Sequence, residues 1–265
     1  MGRELSLDCL TLTDTSPVDL VDAAQQAGFH LVSLWVQPPS LYPRQLLTRE
    51  TAPAVRERLA YTGVRAGGLE VFDLVSAEQI ASCRPALELG ASVGAQAAVV
   101  IHNRNPDRAE VVDLLGAFVE LARDCGLATR IEPISVGRTR TLAEGAALIR
   151  DAGVDAQLTF DFLHLMRTGG SPADLSAIPP HLIANVQVCD GPLEFSPEVG
   201  AKESIAERLY PGEGEFPIRE LLQAAPETAV IGVETPSLRR VGLGMTPADQ
   251  ARAAMEALRP FLPSE

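Results

Sequence analysis

The sequence predicts a single (β/α)8 barrel, an α/β fold. Three observations point there. The chain has 265 residues, long for an average domain but close to the roughly 250 of this architecture. Eight short apolar, β-branched runs alternate with amphipathic helical stretches. No linker or low-complexity segment interrupts the alternation, so residues 1–265 read as one barrel domain.

The first strand is expected at 5–12. Ser16-Pro17 then supplies a capping hydroxyl and a first-turn proline, and the helix runs to Gly28, a residue suited to a left-handed stop. The second strand is 30–36, with a helix over 51–61. The third is 66–74, with a helix over 77–90. The fourth is 97–102, after which Asn105-Pro106 opens a long helix through Arg123, closed by Gly126. The fifth is 128–134, and the helix over 141–152 stops at Gly153. The sixth is 157–162, and Ser171-Pro172 opens a short helix. The seventh is 183–189, followed by a long irregular loop at 191–214 and a helix over 216–224. The eighth is 229–235, and the last helix spans 247–262 with Pro260 near its end.

Strand, helix, strand at this spacing implies parallel strands joined by right-handed crossovers. A doubly wound sheet would normally carry a glycine-rich phosphate turn after its first strand. Here Leu12-Thr13-Asp14-Thr15-Ser16 follows, without glycine. A loop as long as 191–214 in a compact domain reads as a lid or site element.

Composition narrows the partners. Hydrophobic residues make up 46% of the chain, enough for a sizeable core. The net charge is −13 and Lys202 is the only lysine. Such a surface repels phosphate backbones, so neither nucleic acid nor an anionic membrane is an expected partner. Apolar stretches such as Ala97–Ile101 fall far short of the roughly 20 residues of a membrane helix. The N-terminus lacks a signal-peptide apolar core, and a cytoplasmic location is expected. Cys9, Cys83, Cys125 and Cys189 are scattered without a C-x-x-C pair, which suggests small core residues rather than a zinc ribbon or disulfide framework.

In a barrel, side chains at the C-terminal strand ends converge on one mouth. The fifth strand brings Glu132, the sixth Asp161, the seventh Gln187 and the eighth Glu234, each within an apolar run. An isolated carboxylate there is costly, and three converging carboxylates repel one another. A divalent cation removes both problems, and oxygen-rich ligation suits Mg²⁺ or Mn²⁺. For any one acid the plainer reading is pairing with an arginine such as Arg130 or Arg167. For a set on four consecutive strands the metal reading is the stronger.

At this point the chain resembles the xylose isomerase-like barrels, also called the sugar phosphate isomerase/epimerase superfamily. The resemblance covers nearly the whole chain. It is carried by Ile131-Glu132-Pro133 with the helix ending Asp151-Ala152-Gly153, by Phe160-Asp161-Phe162-Leu163-His164 with Arg167-Thr168-Gly169-Gly170, by Val186-Gln187-Val188-Cys189-Asp190, by Arg208-Leu209-Tyr210-Pro211-Gly212-Glu213-Gly214, and by Val233-Glu234. The resemblance implies that Glu132, Asp161, Gln187 and Glu234 hold one divalent ion, Mn²⁺ or Mg²⁺ with Co²⁺ as a third choice. It also implies a small polar substrate and, since members are often dimers or tetramers, a homo-oligomer. Sugar epimerases of the family usually place histidine where this chain has Gln187. Glutamine there is similar to the family's 3-dehydroshikimate dehydratases.

The expected activity is a metal-dependent isomerase or epimerase of a small sugar or polyhydroxy ketone, working through an enolate or enediolate. Glu132 or Glu234 would be the general base. A dehydratase (lyase) of the 3-dehydroshikimate type is the alternative, since loss of a β-hydroxyl from the same enolate gives dehydration. A DNA-repair endonuclease would need several more histidines than His102 and His164 near the mouth. A non-catalytic ligand-binding barrel would have no need to gather three acids. His164, three residues past Asp161, and His102, at the end of the fourth strand, are further catalytic candidates, although either could be plain packing. Arg208, Glu70 and Trp35 are candidate substrate contacts, with solvated loop charge as the alternative for Arg208 and core or pocket wall for Trp35. His30 and His181 belong to the far end and receive no role.

Overall fold

The computed structural model describes residues 3–37, 42–105, 107–196 and 200–263. Eight parallel strands close into a barrel in sequence order: β1 Leu5–Leu7, β2 Leu31–Trp35, β3 Arg65–Asp73, β4 Ala97–Ile101, β5 Ala128–Ile131, β6 Gln157–Asp161, β7 Ile183–Val188 and β8 Val230–Val233. β8 returns to pair with β1. The predicted barrel is therefore the observed one, with no helix among the described residues long and apolar enough to cross a membrane.

The helices form where their end signals lie. Ser16 caps α1 Pro17–Ala27, and Gly28 closes it at φ 87°, a left-handed conformation that glycine adopts without Cβ strain. Thr141 and Glu144 form a reciprocal capping box on α6 Leu142–Ala152. α2 is Ala52–Thr62. The expected helix over 77–90 is two, α3 Ala77–Ser82 and α4 Arg84–Ser92, broken at Cys83 just before Pro85, which has no N–H to continue the ladder. α5 is Arg108–Asp124, capped by Asp107 rather than by Asn105, and Pro106 lies outside the described residues. α8 Pro172–Ser176 starts at Ser171 as expected.

Three further differences concern the mouth. β1 stops at Leu7, because a 3-10 turn over Cys9–Leu12 follows Asp8. The loop over 191–214 contains a helix, α9 Gly200–Ala206. Two short helices, α7 Phe162–Arg167 and α11 Leu238–Gly242, were not expected; α7 begins directly at the end of β6, leaving no loop for a sequence signal. α10 is Ile218–Ala224, starting after Pro217. α12 Pro247–Leu258 gives way to a 3-10 turn at Pro260.

Strand alternation divides the side chains. Leu7, Leu69, Val100, Ile131, Phe160, Val186, Val188 and Val233 are buried in the apolar core, which the helices cover. The alternate positions Ser6, Asp8, Ser33, Glu70, Arg130 and Asn185 surround a small space inside the barrel. The barrel interior is thus unusually polar, and it leads up to the mouth.

Helix α4 reaches the barrel through Gly90, where a Cβ would overlap the side chain of fully buried Leu69. Gly90→Ala should destabilise the protein by about 1–3 kcal/mol, less the ~1 kcal/mol that alanine gains in a helix. Urea unfolding measures this, and a gain of the full ~1 kcal/mol that alanine brings to an unobstructed helix position would contradict the packing described.

Candidate active site at the barrel mouth

The strand ends deliver the four expected residues to one place. Glu132 lies just past β5, Asp161 ends β6, Gln187 is next to last in β7, and Glu234 lies just past β8. Asp161 is in register with Gln187, and Gln187 with Gly232. All four side chains are buried. Gln187 Nε2 donates to Glu234 Oε1 at 3.1 Å. Asp161 Oδ1 accepts the backbone N–H of Leu163 at 2.7 Å, which starts α7.

The arginine that meets these acids is Arg208, from the segment after α9, and neither Arg130 nor Arg167. Its Nη1 donates to Asp161 Oδ2 at 2.6 Å and lies 3.0 Å from Glu234 Oε2. Its Nε donates to the Ser204 carbonyl at 2.9 Å. Arg167 instead forms a two-pronged bond to Glu203 of α9, at 2.7 and 2.5 Å. It also donates to the Pro192 carbonyl and lies against the rings of Phe195 and Phe216. This buried fork anchors α9, and α9 carries the carbonyl that orients Arg208.

His164 also enters the cluster. One ligating atom from each of Glu132, Asp161 and His164 lies within 4.8 Å of the others. The backbone N–H of Ser135 donates to His164 Nδ1 at 3.2 Å. A backbone N–H can only donate, so Nδ1 holds a lone pair and the neutral ring carries its proton on Nε2. Nε2 is 3.8 Å from Glu132 Oε1. Burial, partly offset by Asp161, lowers the His164 pKa to about 4, so the ring is neutral at pH 7. His164 therefore presents an N–H toward the mouth and is better suited to donating than to ligating.

The acids differ in character. Burial first, then Asp161, pushes Glu132 well above the usual carboxylate range. Burial also raises Glu234, against the pull of Arg208. Asp161 is equally buried, but Arg208, His164 and the Leu163 N–H outweigh the burial and hold its pKa below the ordinary value. Glu70, expected as a substrate contact at the mouth, lies in the barrel interior with Asp8 and Arg130. Burial and the neighbouring Asp8 push it up to about 8.

These charges bear on a metal. Five buried carboxyls, Asp8, Glu70, Glu132, Asp161 and Glu234, face two guanidiniums, Arg130 and Arg208. So many acids buried together repel one another, and a bound cation would relieve that repulsion. Gln187 Oε1 is a buried acceptor without a hydrogen-bond partner among the described residues. A hard divalent cation suits that oxygen and these carboxylates.

The remaining candidates are placed as follows. His102 Nε2 donates to the Asn105 carbonyl at 2.5 Å, and its Nδ1 meets the Thr139 hydroxyl at 2.8 Å. Both ring nitrogens are spent on clamping two loops, so His102 offers neither to a substrate. Trp35 ends β2, buried, with its indole N–H on the Gln37 carbonyl. Asp8 escaped the sequence reading, because a strand expected over 5–12 hid it in mid-strand. Ending the strand at Leu7 puts an acid just past the strand end, as at Glu132 and Glu234.

The chain belongs to the xylose isomerase-like TIM barrel family, whose model matches residues 21–261. No curated protein matches it. Among solved structures, it is similar to the IOLI protein with a bound zinc atom (16% identity, 97% of each chain, TM-score 0.80). It is similar to D-allulose 3-epimerase from Methylomonas sp. in complex with D-allulose (16% identity, 98% of each chain, TM-score 0.72). It is also similar to the probable 3-DHS dehydratase AsbF from Bacillus anthracis (17% identity, 97% of this chain and 98% of that one, TM-score 0.76). The chain spans 43% of the length of a xylose isomerase-like TIM barrel/4-hydroxyphenylpyruvate dioxygenase fusion protein, with 98% of this chain covered, 21% identity and a TM-score of 0.84. At these identities the likeness is one of fold.

Replacing Arg208 with methionine would leave Asp161 and Glu234 buried without their cation. The metal-free protein should lose about 3–5 kcal/mol at pH 7. A depressed folded pKa, as for Asp161, contributes stability above the unfolded value and loses it as pH falls. The deficit of Arg208→Met should therefore shrink below about pH 4. Denaturant unfolding at both pH values measures this, and an equal deficit at both would contradict the pairing.

Proposed function

We propose that this protein is a divalent-metal-dependent dehydratase (lyase) acting on a small β-hydroxy ketone rich in hydroxyls, of the 3-dehydroshikimate type. The observation that carries the reading is the inequality of the two glutamates. Glu234 is tied to Arg208 and to the Gln187 amide. Glu132 accepts no hydrogen bond among the described residues and has no guanidinium paired with it, lying beside His164 and Asp161. The site thus holds one free base and one N–H donor, rather than two free bases on opposite sides of a substrate.

Glu132, Asp161, Gln187 and Glu234 would hold the ion, Mn²⁺ or Mg²⁺ in an oxygen donor set, with Co²⁺ as a third choice. When bound, it polarises the ketone carbonyl and acidifies the adjacent C–H. Glu132, beside the ion, would take that proton as general base. The C–H electron pair becomes the enolate. The bond to the β-hydroxyl then breaks, and its oxygen leaves as water with the proton that Glu132 carries. The enolate collapses to a conjugated enone. The His164 N–H orients the departing oxygen, and burial excludes bulk water from the base. Gln187 supports this reading, because its side chain is similar to that of the family's dehydratases at this position. The likeness to the probable 3-DHS dehydratase adds to it. Four free thiols fit a cytoplasmic enzyme.

Isomerisation or epimerisation is the second reading, favoured by the likeness to D-allulose 3-epimerase. It would require Glu234 to handle a proton on the opposite face, and so to loosen from Arg208.

A panel of 3-dehydroshikimate, ketohexoses and inosose-type ketones with Mn²⁺ separates these outcomes. The expected result is ultraviolet absorbance of an aromatic product from 3-dehydroshikimate. Glu132→Gln should lower kcat by at least about a hundredfold, as expected for loss of a general base. A new epimer carrying solvent deuterium, with no aromatic product, would replace the lyase by the epimerase. Neither turnover nor exchange on any compound would count against both readings and favour a substrate outside the panel or a barrel that only binds.

A further inference from the structure

We infer that Asp8 is a positioning residue for Gln187: its unpartnered carboxylate oxygen is the acceptor for the second N–H of the Gln187 amide, which turns the amide oxygen to the ligand side. This rests on the metal site proposed above and assigns a role to a residue outside it.

A glutamine amide has two near-isosteric ends, and its last torsion is roughly two-fold. As a metal ligand it works only one way round, since the NH₂ end has no lone pair to offer. Something must choose between the two ends. Glu234 makes one choice, taking Nε2 at 3.1 Å. That uses one of two N–H groups, and a buried N–H left over is costly.

Asp8 is placed to take the other. It lies just past β1 and is only 3% exposed. Its Oδ1 accepts the Ser6 hydroxyl at 2.7 Å. Its Oδ2 is buried without a hydrogen-bond partner among the described residues. That oxygen rests against the bare Cα of Gly232, where any Cβ would overlap it. Gly232 is the register partner of Ser6 on one side and of Gln187 on the other. The missing side chain lets the carboxylate lean across β8 toward the Gln187 amide. Burial raises the Asp8 pKa to about 6, and the nearby Ser6 and Gln187 side chains oppose that rise. With acids at its nitrogen end and none bonded to Oε1, the amide has one favourable orientation. The alternative would turn its oxygen toward two carboxylates.

A carboxylate needs no such guidance, because it presents an oxygen whichever way it turns. Asp8 should therefore matter with glutamine at position 187 and not with glutamate there. The test is calorimetric titration of Mn²⁺ into metal-free protein, with circular dichroism confirming that each variant is folded. Asp8→Ala should weaken Mn²⁺ binding about tenfold or more, the usual effect of losing a partner that orients a ligand. Asp8→Asn should stay within about threefold of the parent under the same orienting logic. Its amide oxygen can accept from Gln187 while its NH₂ turns to the Ser6 hydroxyl. In a Gln187→Glu background, Asp8→Ala should leave the affinity unchanged or tighten it, since it removes a like charge. Asp8→Ser substitutes if the alanine variant does not fold.

Equal weakening by Asp8→Ala in both backgrounds would show that Asp8 acts through its charge, and would overturn the inference. So would Asp8→Asn binding as weakly as Asp8→Ala. If the parent binds no Mn²⁺, the metal reading itself fails and this inference falls with it. If the parent binds and Asp8→Ala binds equally well, only this inference falls.

Discussion

Asp8, Glu70, Glu132, Asp161 and Glu234 are all buried within one barrel or at its mouth, and charges taken out of water must be compensated close by. Arg130 and Arg208 supply part of the compensation, and protonation of Glu70 supplies more. The buried groups at the mouth offer oxygen, apart from His164. Burial and unequal pairing split the acid strengths, with Asp161 held low by Arg208 while Glu132 and Glu234 are pushed up.

The same constraint explains the segment after β7. Arg208 meets Asp161 and Glu234 only because its backbone is carried there by α9. That helix is fixed by the Arg167–Glu203 fork, with Phe195 and Phe216 against the guanidinium. Asp190, just past β7, ties the base of the segment by accepting the N–H groups of Gly191, Gly212, Gly214 and Phe216. Gly214 is required there because any Cβ would overlap Asp190 and the Gly191 backbone. A charge at the mouth thus depends on a chain of polar contacts reaching back to α7.

Much of this could be read in the sequence. Strand-to-helix alternation gave the barrel because hydrophobic period and end signals are local properties. Three acids and an amide at the ends of apolar runs gave the four mouth residues, since a barrel sends strand ends to one place. What escaped depended on contacts between distant residues. Arg208 pairs with residues 47 and 26 positions away, so Arg130 and Arg167 looked equally good as partners. His102 looked catalytic because a strand-end histidine usually faces the mouth, and only the Asn105 and Thr139 contacts show it to be a clamp. Glu70 was correctly placed on its strand, but its side chain faces Asp8 and Arg130 inside the barrel, and Asp8 was lost because propensity does not show that β1 is three residues long. α7 went unseen because its cap is Asp161 itself, a residue with two tasks.

The central proposal is that one divalent ion is held at the mouth on Glu132, Asp161, Gln187 and Glu234. Calorimetric titration of the metal-free protein with Mn²⁺ tests it most directly. The account expects one ion per chain, with affinity falling at least about tenfold in Glu132→Gln and in Glu234→Gln, as for loss of a ligand or its support. Affinity unchanged in both variants, or no saturable binding by the parent protein, would contradict it.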